Sequence, residues 1–243
     1  MKLFSFASRT GKEILRDPLT LAFGLGFPVV LLLLFHAIQK NAPVVLFEIQ
    51  NITPGIVVFG LAFMTLFSAM LIARDRSSAL QQRLYTTPLT ALDFILGYTL
   101  PILPMALGQT VVCLAVAVVM GLPVSMNLLF AVVMMIPAAL FFVALGLLCG
   151  SLFTDKQVGG ICGALLTNLT AWLSGAWFDL ELVGGTFQKI ANALPFVHCV
   201  ELERAALGGN FSAMVPHIYW VLGYLGVAAV AAVLVFLWKM RRQ

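Results

Sequence analysis

Residues 53–93 read TPGIVVFGLAFMTLFSAMLIA followed by RDRSSALQQRLYTTPLTALD, and this stretch decides the fold. The first part, Thr53–Ala73, carries no charge. A helix rises about 1.5 Å per residue, so about 20 apolar residues cross a hydrocarbon core about 30 Å thick. The second part turns polar at once with Arg74, Asp75 and Arg76. Ser77 or Ser78 is placed to cap a short helix running to Tyr85, and Thr86-Thr87-Pro88 stops it. Thr90 and Asp93 have capping-box spacing just ahead of the next apolar run. The reading is a span, a short surface helix and a second span.

Working outward, uncharged runs of similar length recur at 19–38, 94–120, 128–153, 157–178 and 215–238, which with 53–73 makes six expected spans. The run at 19–38 is longer than a signal-peptide core and has no A-x-A site after it, so it is expected to be retained. A further apolar stretch, Ile190–Val200, is too short to cross and contains Pro195 and His198. It is expected to be re-entrant or interfacial, within an outer segment 179–210. Glu201 and Glu203 in that segment either line an exit path or are solvated, and solvation is the expectation. The fold class is therefore an all-α polytopic membrane protein.

Composition agrees. Of 243 residues, 61% are hydrophobic and 10% charged, too few polar groups to cover a soluble surface. The net charge of +4 is not gathered into a patch of the kind nucleic acid needs. Instead it sets topology. Lys2, Arg9, Lys12, Arg16, Arg74, Arg76, Arg83, Lys156, Lys239, Arg241 and Arg242 fall on one side, against Lys40, Lys189 and Arg204 on the other. Both termini and the loop after Arg74 are thus expected in the cytoplasm, with the protein multi-pass in the cell (plasma or inner) membrane.

Residues 1–17 alternate apolar and basic side chains, as suits a helix lying in the interface, or else form a basic flank that only sets topology. Asp17-Pro18 breaks this segment from the first span. Pro28, Pro101, Pro104 and Pro137 lie inside spans, as packing kinks or as hinges. Gly146…Gly150 and Gly159…Gly163 have the small-xxx-small spacing that lets helices approach closely, in any polytopic protein.

Catalytic motifs are missing. The chain has no G-x-x-x-x-G-K-[ST], HExxH or GxSxG. His36, His198 and His217 are far apart in sequence, and Cys113, Cys149, Cys162 and Cys199 form no CxxC, so neither metal nor catalytic residues are expected. The six runs contain no charge, whereas proton-coupled carriers usually bury one at a cost of about 2.5–3.5 kcal/mol. Two alternatives remain: a membrane-embedded enzyme, which would need clustered polar residues, and a standalone secondary carrier.

The order of parts resembles a known family. A basic interfacial helix, RDPLTLAFGLGFPVVLLLLF, TPG at the second span, TTPL after the cytoplasmic helix and LPF…E…ER…G before the last span are similar to the ABC-2 type permeases of ATP-binding-cassette exporters. The resemblance implies six helices, an elbow helix over residues 1–17, a cytoplasmic coupling helix over Ser78–Pro88, and outer re-entrant helices over 179–210. It implies that two permeases, identical or paralogous, pair and that each docks one ATP-binding subunit. Docking would use Ser78, Leu80, Gln82, Arg83, Leu84, Tyr85 and Pro88. ATP and Mg²⁺ would bind in that partner, with no cofactor in this chain. The second and fifth spans would supply the translocation path, with Thr65, Ser68, Thr167, Asn168, Thr170 and Ser174 as its polar candidates. Many relatives carry a glutamate and a glycine in the coupling region; here the acidic position is Asp75, and no glycine lies between Ala73 and Gly97.

Overall fold

A computed structural model of the chain describes residues 2–41, 44–77 and 91–240, and every regular element among them is helical. Helix α1 is Lys2–Leu15. Helix α2 is Pro18–Asn41, with a π-helical section at Ala22–Gly26. Helix α3 is Ile49–Ser77, α4 is Ala91–Val119 and α5 is Asn127–Leu152. Helix α6 covers residues 155–173 and is π-helical over Gly159–Leu166. Then follow α7 (Leu180–Val183), α8 (Gly185–Ala193), α9 (Pro195–Leu207) and α10 (Phe211–Met240).

Among the described residues, α2, α3, α4, α5 and α10 are long and apolar enough to cross a membrane. The run expected at 157–178 is helical as far as Leu173; the helix that holds it, 155–173, is shorter than those five and carries Asp155, Lys156, Gln157 and Asn168. Its start and stop are locally encoded. Thr154 and Gln157 form a capping box ahead of Asp155, and Gly175 adopts φ +69°, a conformation that ends the helix. Asp17 caps α2 by accepting from the Leu19 and Thr20 amides, with Pro18 at the first helical position. The π section of α2 ends just before Pro28, whose ring removes a donor and crowds the carbonyl four residues back.

Ser77, one of the two serines placed to cap the next helix, lies in the last turn of α3, and its hydroxyl donates to the Arg74 carbonyl at 2.9 Å. The expected short helix and the docking positions on it, Ser78, Leu80, Gln82, Arg83, Leu84, Tyr85 and Pro88, lie outside the described residues.

Helix α3 is the axis of the bundle. In its most apolar window 72% of residues are buried, against 17% for α2 and 22% for α10. Lipid tails are as apolar as leucine, so helices here are held by close packing and hydrogen bonds rather than by expulsion of water. The closest approach is α3 against α5. A Cβ added at Gly150 would lie 2.7 Å from the Ala69 carbonyl oxygen, and one at Gly146 would lie 2.7 Å from that of Thr65. The Gly146…Gly150 spacing therefore serves a contact within the chain. Gly159 and Gly160 have nothing within 4 Å. On its other side α3 meets α2 through rings: Phe27–Phe63 at 5.6 Å, Phe59–Trp177 at 5.3 Å and Phe35–Trp177 stacked at 4.9 Å.

Gly150→Ala is expected to destabilise the bundle by about 1–3 kcal/mol, because backbone cannot yield as a side chain can. Gly159→Ala should stay within about 0.5 kcal/mol. Thermal unfolding of the two purified variants in one detergent checks the contrast.

Candidate functional site

The residues Arg74, Asp75 and Arg76 close α3, and each side chain ties a different part of the bundle to it. Asp75 is buried. It accepts from Arg9 Nη1 at 2.8 Å and Nη2 at 3.1 Å, and from the Tyr98 hydroxyl at 2.9 Å. One carboxylate thus joins α1, α3 and α4. The hydrogen bond and charge of Asp75 raise the Arg9 pKa, although burial opposes them. Arg9 also pairs with Glu13 at 2.8 Å. Arg76 turns the other way and donates to the Gly150 carbonyl at 2.7 Å and to that of Phe153 at 3.4 Å. These are carbonyls at the end of α5, where the helix has no internal donors left and its dipole favours a cation. Arg74 faces Asp155, the first residue of α6, at 3.6 Å across an exposed surface, where a pair contributes little.

Helix α1 seats on this base through apolar contacts as well. Phe6 packs edge-on to Phe94 at 5.6 Å and Tyr98 at 5.0 Å, and Ile14 is buried. Gly97 leaves the room that Phe6 occupies. The sequence placed charges on residues 1–17 but gave no sign that Arg9 would reach 66 residues along the chain.

The polar path candidates take these positions. Thr65 is buried and donates to the Phe142 carbonyl on α5 at 2.7 Å. Ser68 is buried and donates to the Met64 carbonyl at 2.7 Å. Thr167 and Thr170 are buried and bond back to the carbonyls of Gly163 and Leu166 in their own helix. Ser174 is buried with no partner for its hydroxyl among the described residues. Asn168 is exposed, and its amide donates to the Ala164 carbonyl at 2.7 Å. Sequence reasoning passed over the half-exposed stripe of α3 formed by Phe59, Phe63 and Phe67, four residues apart.

At the opposite end of the bundle, α9 packs among α3, α5 and α10. Two of its polar residues differ from expectation. Glu203 is not solvated: it is fully buried, and neither carboxylate oxygen has a partner among the described residues. Burial pushes its carboxyl well above the usual range, because an unpaired charge is costly away from water. Glu201 instead pairs with Arg204, which also donates to the Asn51 carbonyl at 3.4 Å. His198 and His217 are 19 residues apart in sequence, yet their Nδ1 atoms meet at 2.9 Å. Trp220 stacks on His198 at 4.7 Å, and His198 Nε2 donates to the Asn192 carbonyl at 3.0 Å. With Nε2–H fixed by that carbonyl, Nδ1 of His198 is the acceptor and His217 the donor. Burial holds the His198 pKa below its ordinary value. No group of three His, Cys, Asp or Glu gathers as a metal site among the described residues.

Glu203 makes a sign-specific prediction. Its pKa is higher folded than unfolded, so its contribution is complete below about pH 4.5 and is lost as pH rises through the folded value. Glu203→Gln keeps the shape without the titration. The variant should match or exceed the parent in thermal stability at pH 7–8, with the advantage shrinking toward pH 4.5; parallel melting curves across that range check it.

Comparison with known proteins now adds to the geometry. The family model described as ABC-2 type transporter matches residues 1–207. Nodulation protein J of Sinorhizobium fredii (strain NBRC 101917 / NGR234) is 27% identical over 193 residues, covering 79% of this chain and 72% of that protein. The match begins with α1, runs through the Arg74–Arg76 base and ends with α9, so it takes in both ends of the bundle just described. This chain belongs to the ABC-2 type transporter family, as a multi-pass membrane permease component of an ABC transporter.

Proposed function

We propose that the chain is the permease subunit of an ATP-driven exporter, working as a pair with a second copy or a paralogue and docking a separate ATP-binding subunit through residues 78–88. In this reading both termini are cytoplasmic and six helices span the cell membrane, α6 being the fifth. Helix α1 is an interfacial elbow, and α8 and α9 dip back into the outer leaflet. ATP and Mg²⁺ belong to the partner.

The observation that carries the reading is the base of α3. The segment proposed to meet the ATPase follows directly on Ser77, and the three residues before it link α3 to α1, α4, α5 and α6. A push on residues 78–88 is therefore delivered to several helices at once. The tight α3–α5 contact favours motion of packed helices as rigid bodies over gradual bending. ATP supplies the bias between inward- and outward-facing states, since a ligand shifts such an equilibrium only by its differential affinity for them.

The path itself runs along α3 and α6. Asn168 is its polar candidate already exposed; Thr65, Ser68, Thr167, Thr170 and Ser174 come into contact with cargo only when these helices part. With Phe59, Phe63 and Phe67 beside them, the walls suit an amphiphilic cargo.

Two expected outcomes check this. Arg83→Glu or Leu84→Asp should reduce recovery of the ATPase subunit at least about tenfold in a pull-down with matched membrane levels, the size of losing a central interface contact. The purified permease alone should neither bind nor hydrolyse ATP, while the reconstituted pair does both. Cargo transport that persists without any ATPase would refute the reading.

A further inference from the structure

Helix α1 has two faces, one apolar and buried and one polar and held at Arg9. Phe6, Ala7, Thr10 and Ile14 are buried toward the bundle. Ser8, Arg9 and Lys12 lie on the other face, and Arg16 continues it in the turn just past the helix end. That second face lines a groove of about 1070 Å³ closed by the start of α2 and by Phe67, Met70 and Leu71 of α3. The groove is split by chemistry. Its apolar side lies on α3, three to seven residues before Arg74, within about 11 Å along the helix of the charged rim. Its polar side is cationic.

The charges on that side are not equivalent. Arg9 is held by Asp75 and Glu13, Arg74 faces Asp155, and Asp17 is occupied in capping α2. Lys12 and Arg16 are exposed and form no ion pair among the described residues. Two uncommitted cations thus stand beside an apolar wall. A small free anion would use only the cations and leave the rest of so large a groove unfilled. An amphiphile with an anionic head uses both sides.

We propose that this groove is a binding site for an anionic phospholipid of the surrounding membrane, with its phosphate between Lys12 and Arg16 and the upper part of a chain against Phe67, Met70 and Leu71. Charge complementarity and size select this occupant. The site is independent of the ATPase-docking reading, because it needs neither partner nor nucleotide.

The test uses the full-length protein in nanodiscs of phosphatidylglycerol and phosphatidylcholine at equal amounts, followed by native mass spectrometry of lipids retained on gradual detergent extraction. A basic residue near an anionic lipid surface contributes about a fivefold preference. The parent should therefore retain phosphatidylglycerol over phosphatidylcholine by about 25-fold, and the Lys12→Gln/Arg16→Gln variant should lose most of that preference. Met70→Trp keeps both cations but fills the apolar wall; it should lower retention of either lipid. Inorganic phosphate at millimolar concentration should not displace the lipid.

Three results overturn the proposal. One is an unchanged preference in the double variant with unchanged retention in Met70→Trp. Another is full displacement by inorganic phosphate, which would make this a small-anion site. The third is a groove covered by protein in the assembled transporter with no lipid retained. Circular dichroism of each variant confirms the helical fold, so that a lost preference reports on the site.

Discussion

Charges at the rim of a lipid-embedded bundle must find partners, and Arg74-Asp75-Arg76 is where this chain pairs them. Asp75 is taken out of water at the end of a helix that is otherwise apolar, a costly placement unless a cation and further donors surround it. Arg9 and Tyr98 meet that need, and in doing so they fix α1 and α4 against α3. Arg76 does the same for the open carbonyls of α5. Because the three residues are consecutive, their side chains leave the helix in different directions, which is why one short triplet gathers several elements.

Elsewhere in the bundle close packing carries most of the contact, with single hydrogen bonds added between helices. Between α3 and α5 the glycines at 146 and 150 bring backbones together, and Thr65 adds a hydrogen bond across the same interface. Between α2 and α3 the contact is a column of aromatic rings ending at Trp177. One interface is close and stiff; the other is built of side chains. The second is the side on which Phe59, Phe63 and Phe67 are half-exposed.

Local signals were legible in the sequence and distant pairings were not. The helix start at Asp17-Pro18 follows from residues within a turn of it, and length with hydropathy found the long apolar helices; the ends at Thr154 and Gly175 are as local, but counting apolar residues passed over them. At 157–178 the same reading ran past the helix end: the helix stops at Leu173, and Lys156, Gln157 and Asn168 make it less apolar than the five long helices. Helix α3 runs one turn past the last apolar residue, Ala73: hydropathy marks where the charge begins and not where the helix ends. Glu203 looked solvated beside Glu201 and Arg204. Successive helical residues differ by about 100° in direction, so neighbours in sequence face water and core by turns. The histidine pair and the Arg9–Asp75 bond join residues too far apart for spacing to reveal them.

The most direct measurement of the base of α3 is a double-mutant cycle on thermal stability, with Arg9→Gln, Asp75→Asn and the pair of substitutions in the purified permease. If Arg9 and Asp75 hold α1 to the bundle as one unit, each single variant loses about 1–3 kcal/mol and the double variant loses little more than either, a coupling of at least about 1 kcal/mol. Additive losses, or single variants as stable as the parent, would contradict the role assigned to this contact.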